Sequence, residues 1–169
     1  AAPRTLAYRP MQPLLARDRL SALLDAAHGR RIAVIGDAML DVYLRGEVDR
    51  ISPEAPVPVV RVRDRRTALG GAANVAQNVM ALGARCELAC VVGSDASARS
   101  LRDMLVAMGA PDSAIVETSR PTTTKTRVLA RAQQVVRVDE EEDCELAASD
   151  VTRVLAVVRT AVERADAVV

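Results

Sequence analysis

The sequence predicts an α/β fold with a mostly parallel sheet flanked by helices and a separate small β piece near residues 43–66. Two observations carry this. Short apolar runs of strand length, such as Ile32-Ala33-Val34-Ile35 and Cys86 to Val92, alternate with helical stripes of crossover length. A proline-punctuated stretch, with Pro53, Pro56 and Pro58 ahead of an alternating Val57 to Val62, suits an edge strand or an exposed flap rather than a central strand. With 169 residues, half of them hydrophobic, the chain has enough material for one domain with a core and too little for most two-domain enzymes.

The elements follow in order. Leu14, Leu15, Leu20, Leu23 and Leu24 recur at helical spacing, and His28-Gly29 ends that helix. Ile32 to Gly36 reads as a buried strand, and Gly36-Asp37-Ala38-Met39-Leu40-Asp41 as an acidic loop after it. The Val57 to Val62 piece then leaves the main sheet. Ala72, Val75, Ala76, Val79 and Met80 form a helical stripe that Leu82-Gly83 closes, and Cys86 to Val92 returns as a strand. A helix from Ala96 to Met108 has Asp95 as its N-cap. Ile115-Val116, Thr124 to Ala130 and Gln134 to Val138 are short β runs, and Val151 to Val162 is a further amphipathic helix. Ala165 to Val169 reads as the start of another buried strand, which leads us to expect that the sheet continues in residues beyond this chain.

Composition narrows the partners. Twenty-three Lys and Arg against 22 Asp and Glu leave a net charge of +1, so no global field recruits nucleic acid or an anionic membrane. The two aromatic residues, Tyr8 and Tyr43, offer almost no stacking platform for bases. No apolar run approaches the ~18 residues needed to span a bilayer. Three cysteines, Cys86, Cys90 and Cys144, give no disulfide framework, which suits a reducing cytoplasm. Cys86 and Cys90 also lack the partner ligands of a zinc site. Residues 1–10 have no apolar core of a secretory signal, and Met11 reads as a start, so 1–10 is expected to be a leader or expression remnant and 11–169 the folded part.

Chemistry concentrates in three places. Leu69-Gly70-Gly71-Ala72-Ala73-Asn74 opens a helix on a glycine pair and sets an asparagine in its first turn, where unpaired backbone N–H groups and the Asn74 amide suit hydroxyl groups. The plainer alternative is a tight turn with helix capping. Asp37 and Asp41 lie just beyond the first parallel strand, where such sheets bind ligands, and carboxylates there accept hydrogen bonds from a polyol. A turn cap at Asp37 and a loop tether at Asp41 are the alternatives. In Thr124-Lys125-Thr126-Arg127, β alternation projects Lys125 and Arg127 from one face, a pair suited to phosphate or simply to solubility. Neither glycine turn suits a nucleotide. The first has one glycine where the dinucleotide fingerprint needs three, followed by an acid, and no Gly-Lys-Ser/Thr follows the second. His28 is a dipole partner at a helix end, and Glu140 to Asp143 a solvated acidic loop.

These blocks resemble the ribokinase-like (PfkB) carbohydrate kinases. The resemblance rests on Gly36 to Asp41, Arg50-Ile51-Ser52-Pro53-Glu54-Ala55-Pro56-Val57-Pro58-Val59, Gly70 to Asn74, Lys125-Thr126-Arg127, Gln133-Gln134 and Arg137-Val138-Asp139, and it covers about Arg31 to Val169. Its Ile-Ser-Pro-Glu-Ala-Pro block is most similar to the heptose 7-phosphate kinases, found alone or fused to an adenylyltransferase.

The resemblance implies a ribokinase-like sheet with a β lid drawn from about 43–66 and 123–138, through which family members commonly form homodimers. It implies that Asp37, Asp41, Gly70, Gly71 and Asn74 meet sugar hydroxyls, and makes Lys125 and Arg127 candidate contacts for the 7-phosphate. The implied reaction is transfer of the ATP γ-phosphoryl to an anomeric hydroxyl with Mg²⁺. The family's Gly-Ala-Gly-Asp motif, with its anion hole and base, and its ATP pocket lie in a C-terminal half not contained in this sequence. No catalytic residue is therefore assigned, and the chain alone is expected to be inactive. Val42, Leu44 and Arg45 depart from the arginine and aromatics many relatives carry there. A PfkB kinase for another sugar or nucleoside, and a non-catalytic module that binds a sugar phosphate or dimerises, are the competing readings.

Overall fold

The computed structural model describes residues 16–131 and 133–169. The elements run α1 (Arg17–Ala27), β1 (Arg31–Ile35), β2 (Ala38–Ile51), β3 (Pro58–Gly71), α2 (Ala72–Ala81), β4 (Arg85–Val92), α3 (Ala96–Ala107), β5 (Ile115–Glu117), β6 (Thr124–Ala130), β7 (Gln133–Glu140), α4 (Ala148–Arg164) and β8 (Ala167–Val168). Two four-stranded sheets result. One, ordered β5-β4-β1-β8, is parallel throughout, and the other, β3-β2-β6-β7, is the lid. The expected α/β fold with a mostly parallel sheet and a small β lid is present.

The parallel sheet is buried because its strands are apolar without interruption. Val34 lies opposite Leu88, and both are almost fully excluded from solvent. Leu101 and Leu105, on one stripe of α3, and the small residues Ala73 and Ala76 of α2 are equally buried, the alanines letting α2 lie close against the strands. Burial of each leucine contributes about 1.5–3 kcal/mol relative to exposure. Asp95 caps α3 as expected, its Oδ1 accepting from the Ala98 N–H at 2.7 Å.

The lid departs from the sequence reading in extent. Gly36 to Asp41 is not a loop: the turn is Gly36-Asp37 alone, and β2 begins at Ala38. Alternation decides it, since Ala38, Leu40 and Val42 are buried while Met39, Asp41 and Tyr43 are less so. The proline-rich flap is likewise only the start of β3, which pairs antiparallel with β2 from Ile51↔Pro58 to Ala38↔Gly71 and forms one edge of the lid. The glycine pair thus ends a 14-residue strand as well as opening α2.

At the chain ends the elements agree with expectation and their packing does not. Leu14 and Leu15, the Met11 start and the 1–10 leader lie outside the described residues. In α1, which ends before His28 as expected, no residue is buried, and Leu20, Leu23 and Leu24 are 49%, 42% and 40% exposed. An apolar stripe becomes core only where another element covers it, and no described element covers this one. Ala165 to Val169 supplies β8, which pairs with β1 through Ile32↔Ala167 and Ala33↔Val168 and leaves Val168 half exposed.

Candidate functional site

The site forms where β1 ends and the lid begins. The Asp37 carbonyl accepts the first N–H of α2, from Ala72, at 2.9 Å, and so ties the β1–β2 turn to the helix start. Gly71, the residue before α2, has φ +55°, and a Cβ there would collide with the Asp37 carbonyl oxygen. Only glycine meets both conditions at little cost. A Cβ on Gly70 would stand 2.9 Å from Asp41 Oδ2 and 2.7 Å from Met39 Cγ. The glycine pair therefore lets β3 lie against the two aspartates, a packing role.

Asp37 and Asp41 differ in what their carboxylates do. Asp37 is exposed at the edge of a small cavity of about 130 Å³ and takes part in no ion pair among the described residues. Asp41 is committed: its Oδ1 accepts from Arg127 Nη1 at 2.5 Å, with side-chain exposures of 16% and 24%. That hydrogen bond holds the Arg127 guanidinium above its ordinary pKa, and Tyr43 lies beneath it, ring centroid 5.4 Å from Cζ. Asn74 is exposed in the first turn of α2, a helix without a side-chain cap. The structure thus brings Asp37, Asp41, Gly70, Gly71 and the Asn74 turn together.

Lys125 and Arg127 do project from one lid face, as β alternation required. Parallel pairing sets Lys125 beside Asp41 and Arg127 beside Tyr43, and β7 adds Asp139 beside Lys125 and Arg137 beside Arg127. Neither cation is free. Lys125 Nζ lies 3.0 Å from Glu141 Oε2 and 3.3 Å from Asp139 Oδ2, and the hydrogen bond to Glu141 raises its pKa. Asp139 also meets Arg137 Nε at 3.0 Å. Desolvation pushes the Asp139 pKa up, but hydrogen bonds from Lys125 and Arg137 outweigh it and hold the carboxyl below the usual range.

Glu140 to Asp143, expected as a solvated loop, is more than that. Glu140 ends β7, Glu141 grips Lys125, and the Glu142 carbonyl accepts from Arg120 Nη2 at 2.7 Å. Glu141, Glu142 and Asp143 line the same cavity as Asp37. A charge run in sequence names no partner, so these contacts become visible only in the fold.

A second brace was legible only in part. Asp95 Oδ2 accepts from the Thr122 N–H at 2.7 Å, and Thr122 Oγ1 accepts from the Gly93 N–H at 2.9 Å. Thr124 Oγ1 lies 3.0 Å from Ser97 Oγ. The start of α3 therefore fixes the chain entering β6, and with it the height of Lys125. The thiols Cys86 and Cys90 are buried, and desolvation lifts their pKa values to about 11 and about 12, so neither supplies a thiolate ligand near neutrality. Among the described residues no group of three metal-ligating side chains forms, and no helix is long and apolar enough to cross a membrane.

The chain is 55% identical to the D-beta-D-heptose 7-phosphate kinase of Bordetella bronchiseptica over 120 residues, 71% of this chain and 38% of that protein. It is 44% identical to the bifunctional protein HldE of Rhodospirillum rubrum over 140 residues, 82% of this chain and 28% of that one. The chain thus spans well under half the length of these relatives. A putative sugar kinase from Clostridium perfringens shares the fold with a TM-score of 0.59 at 17% identity, covering 82% of this chain and 42% of that structure. Residues 30–169 match the pfkB family of carbohydrate kinases, and the chain belongs to that family.

Proposed function

We propose that this chain forms the acceptor side of an ATP-dependent sugar kinase that phosphorylates the anomeric hydroxyl of D-glycero-β-D-manno-heptose 7-phosphate, on the route to ADP-heptose and the lipopolysaccharide core. The observation that carries the reading is the exposed Asp37 carboxylate, in no ion pair among the described residues, beside the uncapped start of α2 and on the same cavity as Glu141, the partner of Lys125. Asp37 accepts sugar hydroxyl hydrogens, and the first-turn backbone and the Asn74 amide complete the polyol contacts. Lys125 and Arg127 take the 7-phosphate, with Asp41 aiming Arg127. The names of the relatives at 55% and 44% identity support heptose 7-phosphate as the acceptor.

ATP and Mg²⁺ come to the reading from the family. The start of α2 suits the acceptor better than a triphosphate, because the Ala72 N–H is already taken by the Asp37 carbonyl and the Asp37 and Asp41 carboxylates lie nearby. What this chain does is bind and orient the acceptor.

We also infer that the lid pairs with a second copy in the cytoplasm. Alternation places Val136 and Val138, 47% and 49% exposed, on the lid face opposite Arg137 and Asp139, and an apolar edge strand is a ready pairing surface. Light scattering should find a dimer that Val138→Lys weakens.

Titration calorimetry of the chain with heptose 7-phosphate, fructose 6-phosphate and ribose tests the assignment. A clear preference for heptose 7-phosphate is expected. Equal affinity for all three would favour a kinase of another sugar.

A further inference from the structure

We propose that Glu141 is a built-in competitor in the acceptor site: its carboxylate stands in for the acceptor's phosphate at Lys125 and gives up Lys125 when a phosphorylated sugar binds. The proposal rests on the reading that Lys125 and Arg127 take that phosphate.

Charge balance leads to it. In the ion-pair cluster around Lys125 and Arg127, three cations, Lys125, Arg127 and Arg137, meet three carboxylates, Asp41, Asp139 and Glu141, so these pairs are neutral among themselves. A phosphate monoester brings about −1.5 to −2 charges at pH 7, and a neutral, fully paired cluster gains little from receiving it. One carboxylate has to leave.

The geometry says which. Asp41 is 16% exposed and held at 2.5 Å by Arg127, with the Tyr43 ring beneath the guanidinium. Asp139 is 22% exposed and has two cationic partners, Lys125 at 3.3 Å and Arg137 at 3.0 Å. Glu141 is 40% exposed, has Lys125 as its only ion-pair partner among the described residues, and lies beyond the last residue of β7, outside the ladder that fixes Asp139. It is the carboxylate with the least to lose. It also lies on the cavity that Asp37 borders and grips Lys125 from there, so a phosphate that displaced it would meet Lys125 at the rim of that cavity.

The consequence is selective. An unphosphorylated sugar leaves the Glu141–Lys125 pair intact, while a phosphorylated one exchanges a single carboxylate for a more highly charged group. Glu141 thereby lowers the affinity of every anion that competes for Lys125 and leaves unphosphorylated sugars untouched.

Titration calorimetry of the wild-type chain, Glu141→Gln and Glu145→Gln with heptose 7-phosphate, inorganic phosphate and unphosphorylated heptose tests this. Glu145, exposed four residues further on, makes no ion pair among the described residues and controls for general charge. Glu141→Gln should tighten both phosphate ligands about two- to fivefold, the worth of a partly exposed ion pair, with heptose unchanged and Glu145→Gln like wild type. Phosphate affinity that is unchanged or weakened in Glu141→Gln would overturn the proposal and leave the acceptor-phosphate reading standing. Equal tightening in Glu145→Gln, or of unphosphorylated heptose, would overturn it too. No phosphate binding by wild type or Glu141→Gln would overturn both readings.

Discussion

Asp41 and Arg127 meet across the parallel pair of β2 and β6, Oδ1 to Nη1 at 2.5 Å, although 86 positions separate them in the sequence. The pair is mostly screened from water, and it fixes the direction of a guanidinium that would otherwise sweep freely over the lid. That geometry supports a positioning role for Asp41 in the proposed acceptor site.

Removing the pair should show in both stability and affinity. Asp41→Asn should lower unfolding free energy by about 1–2 kcal/mol, as expected for a part-buried hydrogen bond between charged groups. A double-mutant cycle with Arg127→Gln, read by urea unfolding, should return most of that loss as coupling. Additive losses would mean that the two side chains act independently.

The close approach at Gly71 makes a sharper test of the glycine pair. Gly71→Ala forces a Cβ against the Asp37 carbonyl at a φ of +55°, so the β1–β2 turn has to move. The expected cost is about 1–3 kcal/mol, the range for backbone strain of this kind, and sugar affinity should fall with it. A variant with wild-type melting and wild-type sugar binding would show that the turn tolerates the change.

Asp95 gives the protein an acid limit. Desolvation raises its pKa, but N–H donors from Thr122 and Ala98 outweigh this and hold it below the ordinary value. The folded pKa is depressed, so its stabilisation is present above the unfolded carboxylate pKa of about 3.9 and is lost as pH falls through the folded value. Asp95→Asn keeps an acceptor for the Ala98 N–H but loses the one that meets the Thr122 N–H, so it should cost about 1–3 kcal/mol near neutrality and flatten the stability profile below pH ~4. Circular dichroism melts across that range would show it. An unchanged acid profile in the variant would place the sensitivity elsewhere.

Much of this was legible in the sequence, and what was not has a common cause. Periodicity located β1, β4 and α2 to within a residue or two, because their burial is set by apolar side chains that recur along the chain. Asp95 was readable as a cap because a cap is local. Its second partner, Thr122, lies 27 residues away, and only the fold reveals it. Lys125 and Arg127 were correctly placed on one face, yet their partners Asp41, Asp139 and Glu141 come from other strands or from the loop beyond β7. The two aspartates looked alike for the same reason. Strand pairing, which no local pattern encodes, leaves one free and binds the other.

Asp37 is proposed as the carboxylate that receives the sugar, and one titration tests this most directly. Heptose 7-phosphate is titrated into the wild-type chain and into Asp37→Asn, with the melting temperature of each recorded alongside. A loss of about 1–3 kcal/mol in sugar affinity is expected, the range for a hydrogen bond to a charged acceptor, with melting unchanged because the exposed carboxylate has no ion-pair partner among the described residues. Wild-type affinity in Asp37→Asn would contradict it.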